Sequence, residues 1–171
     1  MNMPINEQYL SVGHYFIDTS EITISVFEWG SEYKSLLPTL VLMHATGFHA
    51  RCWDQVVKHL GKRHILAIDL RGHGQSDNTP IADWRAFGQD VEEVLIRLDI
   101  DNAVGIGHSM GGFTACYTAY LNRNMFSQII LIDPAIMSPD SYRYDKNPIA
   151  VAAGEQHPVV KRRNTFSSVD E

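Results

Sequence analysis

Four short, continuous apolar runs constrain the fold of this chain more than any other feature of its sequence. Continuous runs of this kind are typical of strands that are buried on both faces of a parallel sheet, whereas a half-exposed strand alternates apolar and polar residues. The four runs are Leu40–Met43, Ile65–Ile68, 103–106 and 129–132. We therefore expect four neighbouring strands in a sheet that helices cover on both sides.

Two further strands and three helices complete the predicted order of elements. The strands, 15–18 and 22–29, precede the first apolar run, and the second of them alternates apolar and polar residues. The predicted helices are 53–60, 87–98 and 113–121. On the middle helix the apolar positions form one stripe, and Asp90 is assigned to the opposite, polar face. Alternating strands and helices predict an α/β fold with a mostly parallel sheet flanked by helices.

Polar side chains stand directly after four of the predicted strands. In open α/β sheets, ligands bind at the carboxyl ends of the strands. The four residues at these ends are His44, Asp69, Ser109 and Asp133. The sequence therefore predicts a ligand site at this edge of the sheet.

The string Gly-His-Ser-Met-Gly, residues 107–111, joins one of these strands to an apolar helix. Its flanking glycines lack Cβ atoms that would crowd each other in a tight turn, and Gly112 is predicted to bring the helix close to the sheet. Such a turn exposes the hydroxyl of Ser109 and places the first free N–H groups of the helix where negative charge develops. The alternative is a glycine-rich helix start with an incidental serine.

Two more segments accompany this turn. The loop after the first apolar run reads His-Ala-Thr-Gly-Phe at residues 44–48, and residues 69–76 read Asp-Leu-Arg-Gly-His-Gly-Gln-Ser. Together with residues 107–112, they resemble the α/β-hydrolase fold superfamily of the serine-nucleophile type. The resemblance covers residues 15–133. It implies the α/β-hydrolase fold and the amino-terminal portion of such a protein, truncated after about the sixth strand.

The resemblance implies roles for the residues around the turn. Ser109 is the expected catalytic nucleophile, and the backbone N–H groups of Thr46 and Met110 are the expected oxyanion hole. His44-Ala45 stands where the family usually has His-Gly. We expect His44 to brace the loop that carries Thr46 rather than to transfer protons.

Other residues near the predicted site have weaker assignments. Phe48, His49 and Met137 are candidates for lining the substrate pocket, and core packing is the alternative for each of them. Arg71 and His73 belong to a loop that glycines interrupt, and we expect both to be structural.

No residue of this chain is a convincing general base for Ser109. In the family, the nucleophile is followed along the chain by an acid and then by a histidine. His157 is the only histidine after Ser109, and no predicted strand precedes it. Asp133 is the only acid at a predicted strand end after the turn, and the family more often places its acid one strand later. We therefore expect the triad acid and histidine beyond Glu171.

The sequence changes character after residue 136. Residues 1–136 are the expected hydrolase core, and residues 137–171 are the expected start of a cap region, which is incomplete. The final four residues, Ser-Val-Asp-Glu, are typical of the beginning of a helix. The sixth strand would then have an unpaired apolar edge, so we expect this chain by itself to be poorly soluble or oligomeric.

Composition limits the kind of partner. A net charge of −6 does not suit nucleic acid, and no apolar segment has the length of a membrane span. The amino terminus lacks the basic start and apolar stretch of a signal peptide, and Cys52 and Cys116 are predicted to be buried thiols, so we expect a cytoplasmic protein. A small-molecule substrate is expected, with no cofactor and no metal, and the oligomeric state stays open.

The resemblance implies a hydrolase that cleaves an ester or related acyl bond through a Ser109 acyl-enzyme. An aspartate in place of this serine would indicate a dehalogenase or an epoxide hydrolase. Carbon–carbon bond hydrolases, acyltransferases and hydroxynitrile lyases share the serine and remain open. Two alternatives of a different kind are a catalytically inactive fragment and a protein that binds a ligand in the same pocket without hydrolysing it.

Overall fold

The structure, a computed structural model, describes residues 11–79, 81 and 83–136. They form a six-stranded sheet with the strand order β1-β2-β4-β3-β5-β6. The strands are β1 (Gly13–Asp18), β2 (Thr23–Trp29), β3 (Leu40–Met43), β4 (Ile65–Ile68), β5 (Ala103–His108) and β6 (Phe126–Ile132). The helices are α1 (Asp54–Val57), α2 (Arg85–Arg97) and α3 (Met110–Leu121), with two 3-10 turns at Ser31–Tyr33 and Ala50–Trp53.

The sheet is mostly parallel, as the sequence predicts. β3 pairs in parallel with both β4 and β5, and β5 pairs in parallel with β6. The first two strands are the antiparallel part, since β1 pairs with β2 and β2 pairs with β4 in opposite directions. The predicted α/β class is therefore confirmed, and the carboxyl ends of β3, β4, β5 and β6 share one edge.

Both faces of the central strands are buried. Along β3, Leu40 and Leu42 join an apolar cluster on one face, and Val41 and Met43 join the cluster on the other. One cluster includes α2 and α3 residues and the other includes Trp53 and Val57. Every residue of β3 and β4 is buried, which explains why these strands are continuous apolar runs rather than alternating ones.

β6 differs from the other apolar runs. Ile130 is 47% exposed and Ile132 is 43% exposed, although both belong to a continuous apolar run. The prediction of burial on both faces is wrong here, because β6 is the last strand of the sheet among the described residues and pairs only with β5. Among the described residues β6 is an edge strand, and it begins earlier than predicted, at Phe126.

Two other local predictions need correction. The segment expected as one helix over 53–60 is a 3-10 turn followed by the four-residue helix α1. Cys52 is exposed on that turn and Cys116 is only partly buried, so neither is the buried thiol that was expected. The inner positions of the turn are taken by Ala50 and Trp53, which leaves Cys52 on its outer side.

No helix among the described residues combines the length and the apolar character that a membrane crossing requires. The predicted cap start, residues 137–171, lies outside the described residues, and so do Met137 and His157. The division of the chain at residue 136 therefore stays a prediction.

Candidate active site

Ser109 lies at the tight turn between β5 and α3. Its backbone has φ 53° and ψ −113°, a conformation that costs a non-glycine residue about 1–3 kcal/mol and persists only where its surroundings enforce it. The residue is partly buried, and its side chain makes no capping hydrogen bond to the helix. None of the hydrogen bonds within residues 11–79, 81 and 83–136 involves the Ser109 hydroxyl.

The flanking glycines of the turn are required by close backbone contacts. A Cβ atom on Gly107 would collide with the backbone of Gly111, as predicted from the sequence. A Cβ atom on Gly111 would collide with the carbonyl group of Met43 at the end of β3. A Cβ on Gly112 would lie 3.3 Å from the carbonyl oxygen of Gly107 in β5, in line with the expected close approach of the helix to the sheet, and 2.7 Å from the Cβ of Pro134, so its small size also accommodates the segment after β6.

Met110 is the first residue of α3, directly after Ser109. The first N–H groups of a helix have no acceptor within the helix, and the helix dipole makes this end favourable for negative charge. The side chain of Met110 is 2% exposed, whereas its backbone occupies the turn beside the Ser109 hydroxyl. The helix start therefore offers an N–H donor next to the proposed nucleophile.

The loop after β3 brings Thr46 to Met110. The N–H of Phe48 donates to the carbonyl of Ala45 at 3.1 Å, which closes a four-residue turn. Gly47 occupies the third position with φ 77°, as a type II turn requires. The hydroxyl of Thr46 lies 3.4 Å from the sulfur of Met110. The two residues that the resemblance assigned to an oxyanion hole are thus in contact.

His44 braces this loop from the core. The N–H of Leu70 donates to Nε2 of His44 at 3.0 Å, so Nδ1 carries the proton and lies 2.8 Å from its acceptor, the carbonyl of Ala45. The ring is fully buried, and burial lowers the pKa of His44 to about 4. Both ring nitrogens of the neutral side chain are engaged, which agrees with a bracing role and leaves no nitrogen for proton transfer.

Asp69 fixes the neighbouring loop after β4. Its carboxylate accepts the N–H of Ala50 at 2.6 Å and the N–H of Gln75 at 2.9 Å, and the residue is 1% exposed. Gly74 has φ 56°, and a Cβ there would collide with the Asp69 carboxylate. Asp69 is therefore a structural residue that ties two loops of the carboxyl edge together.

Arg71 forms a buried ion pair that the sequence did not reveal. Its Nε and Nη2 atoms each donate to the Asp90 carboxylate at 2.6 Å, and Nη2 also donates to Glu21 at 2.9 Å. The two carboxylates raise the pKa of Arg71, so the guanidinium stays charged. The assignment of Asp90 to a polar helix face is wrong, since Asp90 is 3% exposed and is buried with its partner.

The remaining predicted site residues that the structure describes are exposed or partly buried. Phe48 is 51% exposed and His49 is also exposed, so neither is part of the core. Asp133 is exposed at the end of β6 with φ 41°. His73 is partly buried, and its Nδ1 lies 3.0 Å from the carbonyl of Arg71.

A second hydroxyl group, which sequence reasoning missed, lies at the opposite edge of the sheet. Oγ1 of Thr39 is 2.8 Å from Nδ1 of His64, and Nε2 of His64 is 2.8 Å from the carboxylate of Glu28. Thr39 and His64 directly precede β3 and β4, so they meet because parallel strands begin side by side. The only signal in the sequence is a polar residue before each of two buried strands.

Comparison with known proteins gives two curated relatives that match more than half of this chain. The sn-1-specific diacylglycerol lipase ABHD11 of Mus musculus is 32% identical over 113 residues, which are 62% of this chain and 36% of the lipase. The soluble epoxide hydrolase of Corynebacterium sp. (strain C12) is 33% identical over 122 residues, which are 69% of this chain and 41% of that enzyme. The chain thus spans less than half the length of these two relatives.

A solved structure and a family model also match this chain. A hydrolase from Pseudomonas aeruginosa PA01 matches with a TM-score of 0.69 and 26% sequence identity, over 83% of this chain and 54% of that chain. The profile described as the Alpha/beta hydrolase family matches residues 40–169. The resemblance seen in the sequence is therefore confirmed, and this chain belongs to the alpha/beta hydrolase family.

Proposed function

We propose that Ser109 is the nucleophile of a hydrolase that cleaves an ester or related acyl bond through an acyl-enzyme. The observation that carries this proposal is the Ser109 hydroxyl on a strained turn, beside the amino terminus of α3 and the loop of Thr46. Strain of this kind persists only where the surroundings enforce it, and it concentrates at functional sites. A glycine-rich helix start with an incidental serine does not account for it.

The proposed reaction follows from the groups at the turn. The Ser109 oxygen attacks the acyl carbon, and the carbonyl oxygen of the substrate gains negative charge. The N–H groups of Met110 and Thr46 stabilise that charge, a contribution that is usually large in acyl transfer. The bond to the leaving group then breaks, and water later releases the acid from Ser109. The small molecule that reacts is proposed to contact Phe48 and His49 at the surface and Met137.

The reaction needs a base that takes the proton of Ser109 and returns it to the leaving group. His44 does not serve, because both of its ring nitrogens are engaged in the core. We propose that the acid and the histidine follow Glu171 in a longer protein. In support, the matched part is 36% of the mouse lipase and 41% of the bacterial epoxide hydrolase.

The two curated relatives have names that specify different reactions, a lipase and an epoxide hydrolase. The serine at position 109 favours the acyl reaction for this chain, because a serine oxygen forms an ester with an acyl carbon that water can hydrolyse. An acyl ester is therefore the proposed substrate class.

Incubation of the proposed longer protein, which supplies the base, with p-nitrophenyl butyrate, followed by mass spectrometry of the intact protein, tests the proposal. This longer protein is the unmodified chain in all the tests below. We expect one butyryl group per chain on Ser109, none on Ser109→Ala, and unchanged acylation of Ser127→Ala, whose hydroxyl faces the carbonyls of Asn102 and Ala103 instead. Binding of the ester without acylation would support the ligand-binding alternative. Acylation of the longer protein but not of residues 1–171 alone would identify the 171-residue chain as an inactive fragment.

A further inference from the structure

The segment after β6, residues 133–136, folds back over the turn that carries Ser109. The N–H of Ser109 donates to the carbonyl of Ile132 at 3.0 Å, and the N–H of Ala135 donates to the carbonyl of Ser109 at 2.9 Å. The N–H and the carbonyl of Ser109 are therefore held by the last residue of β6, Ile132, and by Ala135, three residues beyond it. The remaining donors to the Ser109 carbonyl, Gly112 and Phe113, belong to α3.

The conformation of this segment is well defined. Asp133 has φ 41°, and the N–H of Ile136 donates to the carbonyl of Pro134 at 2.8 Å, which closes a tight turn around Ala135. Proline fixes its own φ and has no N–H, so the donor that reaches Ser109 has to come from the next residue. The sequence Pro134-Ala135 thus presents one N–H group in a fixed place.

Gly112 leaves room for the segment because it has no side chain. A Cβ on Gly112 would lie 2.7 Å from the Cβ of Pro134, closer than Cβ atoms approach other atoms in folded proteins, and 3.1 Å from its Cα, a tight contact. Any side chain at position 112 would displace Pro134, and with it the N–H of Ala135. The second glycine after Ser109 is therefore explained by the segment after β6.

We propose that Pro134 and Ala135 are positioning residues that hold the strained backbone of Ser109, and with it the direction of the Ser109 hydroxyl and of the Met110 N–H. This inference deepens the proposed function and rests on it. The conformation of Ser109 is unfavourable for a serine by itself, and hydrogen bonds on both of its backbone groups oppose relaxation. Neither residue touches the reacting atoms.

The first test removes the hydrogen bond from Ala135. Ala135→Pro deletes the N–H, whereas the conservative variant Ala135→Gly keeps it. The phosphonylation of Ser109 by a fluorophosphonate is measured over a range of probe concentrations. For Ala135→Pro we expect the maximal rate to fall at least tenfold with little change in the half-saturating concentration, and Ala135→Gly to retain most of the rate. A maximal rate of Ala135→Pro equal to that of the unmodified chain would overturn the proposal.

The second test uses the contact with Gly112 and does not depend on Ala135→Pro folding. Gly112→Ala should slow phosphonylation about as much, and Gly112→Ala/Pro134→Gly, which removes the opposing Cβ but also the fixed φ of Pro134, should recover part of the loss. Such a rescue between two contacting residues is the signature of direct coupling. If the double variant is as slow as Gly112→Ala, the contact between positions 112 and 134 does not control the rate, and the proposal is overturned.

A third measurement separates this inference from the proposed function. Amide hydrogen exchange at Ala135, followed by NMR, reports the hydrogen bond to Ser109 whether or not Ser109 reacts. We expect slow exchange in the unmodified chain, loss of protection in Gly112→Ala and its return in the double variant. If the unmodified chain is not phosphonylated but follows this exchange pattern, the proposed function fails and the holding of Ser109 stands. Unprotected exchange in the unmodified chain overturns the inference.

Discussion

The two edges of the sheet each carry a hydroxyl side chain in opposite surroundings. At the carboxyl edge, Ser109 is strained and partly buried, and it precedes the first turn of α3. At the amino edge, Thr39 is 5% exposed and lies in a line of hydrogen bonds with His64 and Glu28. The amino edge therefore has the order hydroxyl, histidine and carboxylate, and the carboxyl edge has a hydroxyl at the start of a helix.

The comparison shows that the order of side chains is weaker evidence for a nucleophile than the backbone around the hydroxyl. The line at the amino edge satisfies polar groups that lie where β3 and β4 begin beside the end of β2, since His64 is only 1% exposed. A nucleophile needs room for substrate and donors aimed at the developing oxyanion. Of the two hydroxyl groups, only that of Ser109 has the start of a helix directly after it.

Removal of one proposed oxyanion donor gives the largest expected effect. Thr46 is the second residue of a type II turn, a position that favours proline, so Thr46→Pro deletes its N–H while the turn persists. We expect phosphonylation of Ser109 by a fluorophosphonate to slow about 10²–10³-fold, the usual cost of one such donor. The control Thr46→Val keeps the N–H and loses only the hydroxyl contact with Met110. Equal rates for the two variants would refute the assignment of Thr46.

Acidification should lower the free energy of unfolding through protonation of His44, which lies at the carboxyl edge of the sheet. The pKa of His44 is about 4 in the folded chain, below the value of about 6.5 for an unfolded histidine, so the unfolded state binds the proton first. Stability from this residue is fully present above pH 6.5 and is lost as the pH falls towards 4, by up to about 3 kcal/mol.

Urea denaturation of the unmodified chain and of His44→Asn at several pH values between 4 and 7 measures this loss. The variant is expected to be less stable at pH 7, with a shallower fall in the free energy of unfolding below pH 6.5. Parallel curves for the two proteins would mean that His44 is not the titrating group.

The amino edge should respond in stability and not in reactivity. His64→Ala leaves the Thr39 hydroxyl and the Glu28 carboxylate without their partner, and we expect a loss of about 2 kcal/mol in the free energy of unfolding. Thr39→Val removes one hydrogen bond and keeps the shape of the side chain, at a cost of about 1 kcal/mol.

In both variants, the folded protein should be phosphonylated at the rate of the unmodified chain. Thermal denaturation gives the stability, and labelling at a temperature where each variant is folded gives the rate. A tenfold lower rate in Thr39→Val would indicate that Thr39, at the amino edge, is the nucleophile.

Local and strongly patterned features of this fold were predictable from the sequence. The apolar runs of β3 and β4 match their strands because every residue in them is buried, and the requirement for Gly107 acts within five residues, since its Cβ would meet the backbone of Gly111. Features that depend on partners distant in the chain were not predictable. Asp90 looks like a surface residue until Arg71 is placed beside it, 19 residues away in sequence.

The same limit applies to the site and to the edges of the sheet. The pattern around Ser109 contains nothing that requires Ala135, because that hydrogen bond exists only once β6 lies beside β5. The line from Thr39 to Glu28 likewise joins three segments that only the sheet brings together. Burial on both faces was wrongly expected for β6, since an apolar run does not reveal its position in the order of strands.

Peptide mapping after reaction with a fluorophosphonate tests most directly which edge carries the nucleophile. The unmodified chain is labelled, digested and analysed by mass spectrometry, with Ser109→Ala and Thr39→Val treated in parallel. We predict a single phosphonate adduct on Ser109, absent in Ser109→Ala and undiminished in Thr39→Val. An adduct on Thr39, or labelling that persists in Ser109→Ala, would contradict the assignment of the nucleophile to the turn between β5 and α3.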